Sequence, residues 1–255
     1  MTRLQGVSVS VTPYYEHGGI TIYHADCRDL MGQLSGVVMT DPPYNIDYHY
    51  SAGGDKRSDE EYDALLSIGL RPPSVVVCYP EIAFRVVLLL KLAPSRAAAW
   101  VYPANTQHNW RVVAWFGLNG YPERVGQPYK NPTDKRVAEL IAAGSMARGY
   151  DWREIPQVKN VSQEKTDHPC QNPLEVMTWM LMSTDAEIII DPFMGSGSTL
   201  VAAKNLGRTA IGIELEERYC EIAAKRLEQE TLPLGTPEKK PTAEQVEMPF
   251  RASKT

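Results

Sequence analysis

Residues 187–206 read Glu-Ile-Ile-Ile-Asp-Pro-Phe-Met-Gly-Ser-Gly-Ser-Thr-Leu-Val-Ala-Ala-Lys-Asn-Leu, and the order of residue types in this stretch decides the fold. Three consecutive isoleucines suit a strand buried on both faces. Asp191-Pro192 ends that run, and Gly195 and Gly197 permit a tight turn close to a ligand. From Ser198 onward the residues are good helix formers with apolar positions at helical spacing. Strand, glycine loop and helix together aim the N–H groups of a helix start at a carboxylate or phosphate.

The same alternation extends in both directions. Apolar runs suited to buried strands recur at 20–23, 36–40, 74–79, 97–102, 187–190 and 209–213. Helical patterns lie at 81–92, 173–183, 198–206 and 216–229; in the last, Tyr219, Ile222, Ala223 and Leu227 share one face. The aliphatic run Val86 to Leu90 is too short to span a bilayer and reads as a buried helix face. Near-continuous apolar strands alternating with helices predict an α/β fold, with a mostly parallel sheet covered on both sides.

Downstream, Glu214 closes the run Thr209 to Ile213, 23 positions after Asp191. A carboxylate at that strand end can accept both hydroxyls of a ribose. The loop could also hold a dinucleotide or a nucleoside triphosphate. However, the dinucleotide pattern would want a third glycine where Leu200 stands, and a phosphate loop would want a lysine earlier than Lys204. An amino-acid zwitterion joined to adenosine fits better, because Asp191 offers an acceptor to an ammonium.

Upstream, Thr40-Asp41-Pro42-Pro43-Tyr44 follows the strand-like Gly36 to Met39. This places Asp41 at the carboxyl end of a strand, the edge where open parallel sheets bind ligands. Two prolines remove two N–H donors and leave stiffly held carbonyl acceptors. A carboxylate, carbonyls and an aromatic ring suit a flat base bearing an NH₂ group. Taken alone, the tetrapeptide is equally readable as a proline turn that ends a strand.

The two segments together resemble the exocyclic-amino DNA methyltransferases, the N6-adenine and N4-cytosine enzymes. Asp41-Pro42-Pro43-Tyr44 matches the family's Asp/Asn/Ser-Pro-Pro-aromatic motif, and Asp191-Pro192-Phe193-Met194-Gly195-Ser196-Gly197 matches its cofactor loop. The catalytic motif comes first, as in the permuted β arrangement. The resemblance covers roughly residues 20–50 and 168–229. It implies a Rossmann-like methyltransferase fold, S-adenosylmethionine as cofactor, and double-stranded DNA as partner. It makes Asp41, Pro42, Pro43 and Tyr44 catalytic. Asp191, Pro192, Phe193, Gly195, Ser196, Gly197 and Glu214 would bind the cofactor, and Asp26 and Cys27 would meet its adenine. His168-Pro169-Cys170-Gln171-Asn172-Pro173 is similar to His-Pro-x-x-Lys-Pro, which adds His168 and Asn172, the latter where lysine is usual. Within the family, aspartate at position 41 leans toward adenine N6, with cytosine N4 as the alternative. A silent DNA-binding protein on the same fold is a third reading, against which the intact motifs argue. A Pro-Cys nucleophile of the cytosine-C5 type, at Pro169-Cys170, would stand after the cofactor loop rather than before it.

Residues 104–165 break the rhythm. They carry nine Lys or Arg and six Asp or Glu, so the segment is +3 while the rest of the chain is −8. The expected organisation is a catalytic half at 1–103, a target-recognition insert at 104–165, a cofactor half at 166–230 and a disordered tail at 231–255. In the insert, Arg111, Arg124, Lys130, Lys135 and Arg136 are candidates for phosphate contacts, and Trp110 and Tyr129 for base contacts. The overall charge of −5 neither favours nor excludes nucleic acid. Four scattered cysteines give neither a disulfide framework nor a zinc site, and His24, His49 and His108 lack metal-ligand spacing. The expectation is a cytoplasmic enzyme without metal or membrane segment; the sequence leaves the oligomeric state open and allows a homodimer.

Overall fold

The computed structural model describes residues 11–47, 49–50, 53–103, 108–120, 129, 131, 133–145, 151–159 and 162–229. In chain order the elements begin with β1 (Tyr15–His17), β2 (Ile20–His24), α1 (Cys27–Leu30) and β3 (Val37–Thr40). The short pair β4 (His49–Tyr50) and β5 (Gly53–Gly54) precedes α2 (Asp59–Gly69), β6 (Ser74–Cys78), α3 (Pro80–Leu90), β7 (Arg96–Val101) and β8 (Trp110–Phe116). Then come α4 (Lys135–Ala142), β9 (Trp152–Glu154), α5 (Leu174–Met182), β10 (Ile188–Asp191), α6 (Ser198–Asn205), β11 (Thr209–Glu214) and α7 (Glu217–Glu228).

Nine strands form one sheet in the order β1-β2-β11-β10-β3-β6-β8-β7-β9. Pairing is parallel from β2 through β11, β10 and β3 to β6, and β8 enters antiparallel between β6 and β7. Both faces are covered, as the alternation along single strands shows. Val75 and Val77 of β6 join the core beneath α5, α6 and α7, while Val76 and Cys78 join the core beneath α2 and α3. α5 is apolar around most of its circumference and is buried accordingly, with Val176, Met177, Trp179, Met180 and Leu181 inside. Trp179 meets Trp115 edge to face at 6.5 Å, and the Trp115 indole N–H donates to Ser183 Oγ at 3.0 Å.

Local signals explain the helix boundaries. α2 opens on a reciprocal box in which the Glu61 N–H donates to Ser58 Oγ and the Ser58 N–H donates to Glu61 Oε2, each at 3.2 Å. α3 has Pro80 in its first turn and ends at Lys91 in the left-handed region.

Two expectations change. The run Val86 to Leu90 is not one buried face: Val86 is buried, whereas Leu88 is 76% exposed and Phe84 74%. A continuous apolar run encircles a helix, and only the side toward the sheet finds cover. The segment 104–165 is also not wholly an insert, because β8 lies inside the main sheet and β9 at its edge. β8 is buried along most of its length, with only Trp110 exposed, so it reads as a core strand rather than as part of an insert. The tail from 231, and Arg124 and Lys130, lie outside the described residues.

Candidate active site

Four neighbouring parallel strands each deliver one carboxylate to the same sheet edge. In spatial order these are Asp26 just beyond β2, Glu214 ending β11, Asp191 ending β10, and Asp41 just beyond β3. The strand registers make this alignment, since Glu214 pairs with His24 and Asp191 with Gly212. A cavity of about 390 Å³ opens at that edge, within the size range of small-molecule sites. Asp41, Pro42, Pro43 and Tyr44 line it, as do Asp26, Cys27, Asp191, Pro192, Phe193, Gly195, Ser196, Glu214, His168 and Asn172. Of the residues expected at the site from the sequence, Gly197 alone stands behind the lining.

The glycine loop is held from several sides. The Gly195 N–H donates to Glu214 Oε2 at 3.0 Å, and the Glu216 N–H donates to Glu214 Oε1 at 2.9 Å. Gly195 has φ +50°, and a Cβ there would lie 2.7 Å from His168 Nε2; Gly197 has φ +77° and caps α6. Arg226 of α7 donates from Nη1 to the Ser196 carbonyl at 2.6 Å and to Ser198 Oγ at 3.3 Å, tying the loop to the last helix. The His168 ring packs edge-on against Tyr219 at 4.5 Å. Burial, together with the charges of Lys165, Arg226 and Arg218, pushes the His168 imidazole down to about 4, so it is neutral at pH 7.

Burial dominates the acids as well. It raises Asp191 to about 6, against bonds from Thr199, Thr40 and the Phe193 N–H that favour the charged form. Thr40 Oγ1 donates to Asp191 Oδ1 at 2.5 Å, linking the two motifs across adjacent strands. Burial likewise raises Glu214 to about 7, although backbone N–H groups oppose it. Asp26 is lowered instead, first by its side-chain bonds with Arg28. It caps α1 through the Arg28 N–H at 2.9 Å and pairs with the Arg28 guanidinium. An acid pair buried near the glycine loop, with a further acid at the rim, fits an ammonium-bearing amino-acid end joined to a ribose and a base. The donor set of the pocket therefore suits S-adenosylmethionine.

Around Asp41 the surroundings differ. Tyr44 Oη donates to Asp41 Oδ1, and Tyr62 Oη donates to the Pro43 carbonyl at 2.7 Å, which occupies that acceptor. The Tyr44 ring lies 4.7 Å from that of Tyr79, which in turn meets His108 at 5.0 Å. Arg111, a candidate for phosphate contact from the sequence, is instead buried: its Nη1 lies 2.8 Å from Asp41 Oδ2. β8 runs antiparallel, so its first residues reach the edge where the parallel strands end. Asn172 turns its side chain onto Asp41 at 2.7 Å, and its backbone carbonyl accepts from Ser198 Oγ at 2.9 Å. Arg57, Tyr62, Tyr79 and Arg226 are site elements that sequence reasoning missed. For Arg111, named but misplaced by the sequence reading, the available signal of burial was a charge within the apolar stretch Trp-Arg-Val-Val-Ala-Trp-Phe.

With this geometry in view, comparison with known proteins is decisive. The N6/N4-type DNA methylase family model matches residues 92–225, more than half of the chain. The chain belongs to the DNA methylase family. It is 43% identical to the type II methyltransferase M2.DpnII of Streptococcus pneumoniae, over 86% of this chain and 93% of that protein. It is 26% identical to the type II methyltransferase M.ScaI of Streptomyces caespitosus, over 90% of this chain and 88% of that one. Among solved structures, the M1.HpyAVI–SAM complex is 25% identical with a TM-score of 0.54, covering 82% of this chain and 100% of that one. The cytosine-N4-specific PvuII DNA methyltransferase, at 15% identity, shares the fold with a TM-score of 0.61, over 88% of this chain and 92% of that one. This DNA methylase is thus an α/β enzyme of Rossmann-like architecture that methylates DNA. Among the described residues no helix is long and apolar enough to cross a membrane, and no cluster of metal-ligating side chains occurs.

Proposed function

We propose that this DNA methylase transfers a methyl group from S-adenosylmethionine to N6 of adenine in double-stranded DNA, inside a cytoplasmic compartment. The observation that carries the reading is the opening of Asp41-Pro42-Pro43-Tyr44 into the same pocket as the glycine loop of Asp191 to Gly197. Asp191 would meet the amino-acid end of the cofactor, Glu214 its ribose and Asp26 its adenine, with Cys27, Pro192, Phe193, Gly195, Ser196 and His168 forming the walls. When bound there, S-adenosylmethionine supplies an electrophilic methyl group on a sulfonium.

The chain's own task is positioning. A base inside a duplex is out of reach, so the target must leave the stack at a cost of about a few kcal/mol. Asp41 and the Pro42 carbonyl accept the two N–H bonds of its amine, favour a pyramidal nitrogen and aim the lone pair into the pocket. Tyr44 stacks on the ring. Alignment and electrostatics, rather than a covalent intermediate, provide the acceleration.

Asp at position 41 supports adenine over cytosine. Within residues 104–165, target recognition falls to the part outside the main sheet, with Lys135 and Arg136 on the exposed helix α4 and Trp110 exposed at the start of β8. Incubation with labelled S-adenosylmethionine and unmethylated duplex DNA, followed by nucleoside analysis, tests the proposal. N6-methyladenine is the expected product, N4-methylcytosine would transfer the reading to cytosine, and no incorporation by a folded, cofactor-binding protein would refute it.

A further inference from the structure

Asp41 is not an idle acceptor. Tyr44 Oη donates to its Oδ1, while Oδ2 accepts from Arg111 Nη1 at 2.8 Å and from Asn172 Nδ2 at 2.7 Å. Arg111 Nη1 also donates to Asn172 Oδ1 at 3.2 Å, closing a three-membered ring of side chains around one carboxylate oxygen. Two donors fill both lone pairs of Oδ2.

The arginine is held at a cost. Its side chain is only 8% exposed, and its Nε is buried without a hydrogen-bond partner. The guanidinium carbon sits 4.8 Å from the Tyr79 ring centre, 5.2 Å from Trp100 and 5.4 Å from Tyr44. Burying an ion pair often stabilises a fold no more than apolar packing would, and the unmet N–H adds a penalty. The β7–β8 register pairs Arg111 with Trp100 through the backbone and does not call for a charge there. The feature that does call for one is the carboxylate at the end of β3.

We propose that Arg111 is a positioning residue for methyl transfer: with Asn172 it saturates Asp41 Oδ2 and fixes the carboxylate plane, so that Oδ1 alone is offered to the target amine, in exchange for the Tyr44 hydroxyl. The proposal rests on the reading of Asp41 as the amine acceptor. Arg111 touches neither base nor cofactor in this scheme. It acts through Asp41, and Tyr79 and Trp100 form the aromatic walls that keep the guanidinium in place.

Single-turnover transfer, S-adenosylmethionine affinity and DNA affinity are measured for wild type, Arg111→Gln, Arg111→Lys and the double variant Arg111→Gln/Asn172→Lys. Arg111→Gln is expected to slow transfer by about thirtyfold or more, with both affinities within about threefold of wild type. Arg111→Lys retains more of the rate. In the double variant, a lysine at 172 brings a cation to Oδ2 from the neighbouring position and recovers about tenfold, a response that a purely structural arginine would not give. A wild-type rate in Arg111→Gln overturns the proposal, as does a loss that neither lysine recovers in folded, cofactor-binding variants. Should Arg111→Gln fail to fold, Asn172→Leu decides: slower transfer at unchanged DNA affinity supports the clamp, and an unchanged rate refutes it. Absence of transfer by the wild-type enzyme would instead count against the methyltransferase reading of Asp41.

Discussion

The two halves of the pocket are built in opposite ways. On the cofactor side, a strand end, a glycine loop and the next strand end lie within the stretch Asp191 to Glu214, and the loop N–H of Gly195 closes directly onto Glu214. On the catalytic side, one carboxylate gathers Tyr44 from its own turn, Arg111 from 70 positions away and Asn172 from 131 positions away. The first half is built mainly from one local stretch on the parallel sheet, with Arg226 of α7 and His168 bracing it. The second exists only after β8 has inserted antiparallel beside β6. Disruption should therefore read out differently: on the catalytic side as lost rate, on the cofactor side as lost affinity.

The sharpest break is Asp41→Ala. Transfer should fall by on the order of a thousandfold or more, because the amine loses its carboxylate acceptor. S-adenosylmethionine affinity by calorimetry should stay within about threefold. The melting temperature should also drop, since Arg111 is left buried with no carboxylate against it. Turnover retained in this variant would remove Asp41 from its assigned role.

That contrast also explains what the sequence could disclose. The α/β alternation, the glycine loop and the Asp-Pro-Pro-Tyr turn are legible because strand, turn and helix signals act over a few residues. Glu214 is legible because it closes the next strand. Arg111 is a charge inside the apolar stretch Trp110 to Phe116, but its partner is not legible, for nothing local states that β8 enters antiparallel and so starts at the edge where β3 ends. Phosphate contact is what the net charge of 104–165 suggests, and net charge says nothing about burial. Asn172 was read by its place in a motif, whereas its side chain answers to Asp41. Tyr62 was hidden for a similar reason, because the contact of its hydroxyl with the Pro43 carbonyl joins residues 19 apart through tertiary packing.

On the cofactor side, the corresponding break is Gly195→Ala. The position has φ +50°, and the new Cβ would stand 2.7 Å from Nε2 of the half-buried His168 ring. Strain of about 1–3 kcal/mol in the loop corresponds to about 5- to 150-fold weaker S-adenosylmethionine binding. Single-turnover transfer at saturating cofactor should change far less. If rate falls and affinity does not, the division between the halves fails.

A subtler test uses pH. Burial raises Glu214 to about 7 and Asp191 to about 6. A ribose that donates both hydroxyls needs the charged Glu214, so binding should be tightest above about pH 7. Affinity should fall by up to about tenfold per pH unit below that for each proton displaced. Fold stability without ligand runs the other way. A carboxylate whose folded pKa is raised contributes most below its unfolded value, and that contribution is lost as pH rises through about 7. Calorimetric affinity and ligand-free melting temperature, measured together across this range, should therefore change with opposite signs. Glu214→Gln should flatten much of both curves, and a flat wild-type affinity would place the ribose elsewhere.

The smallest expected effect belongs to Tyr44→Phe, which returns to the catalytic side. It keeps the stacking ring and removes only the hydroxyl that donates to Asp41 Oδ1. If that hydroxyl holds the place of the target amine, its loss frees the acceptor before the base arrives. One net hydrogen bond is worth about 0.5–1.5 kcal/mol, so productive base binding should improve by a few-fold. Transfer at saturating DNA should remain within about threefold, because Arg111 and Asn172 still orient the carboxylate through Oδ2. Measured as KM for DNA against kcat, the variant should show a lower KM at nearly constant kcat. A large loss of kcat with unchanged KM would mean that the hydroxyl acts in transfer itself, and that Oδ1 is not the oxygen exchanged for the amine.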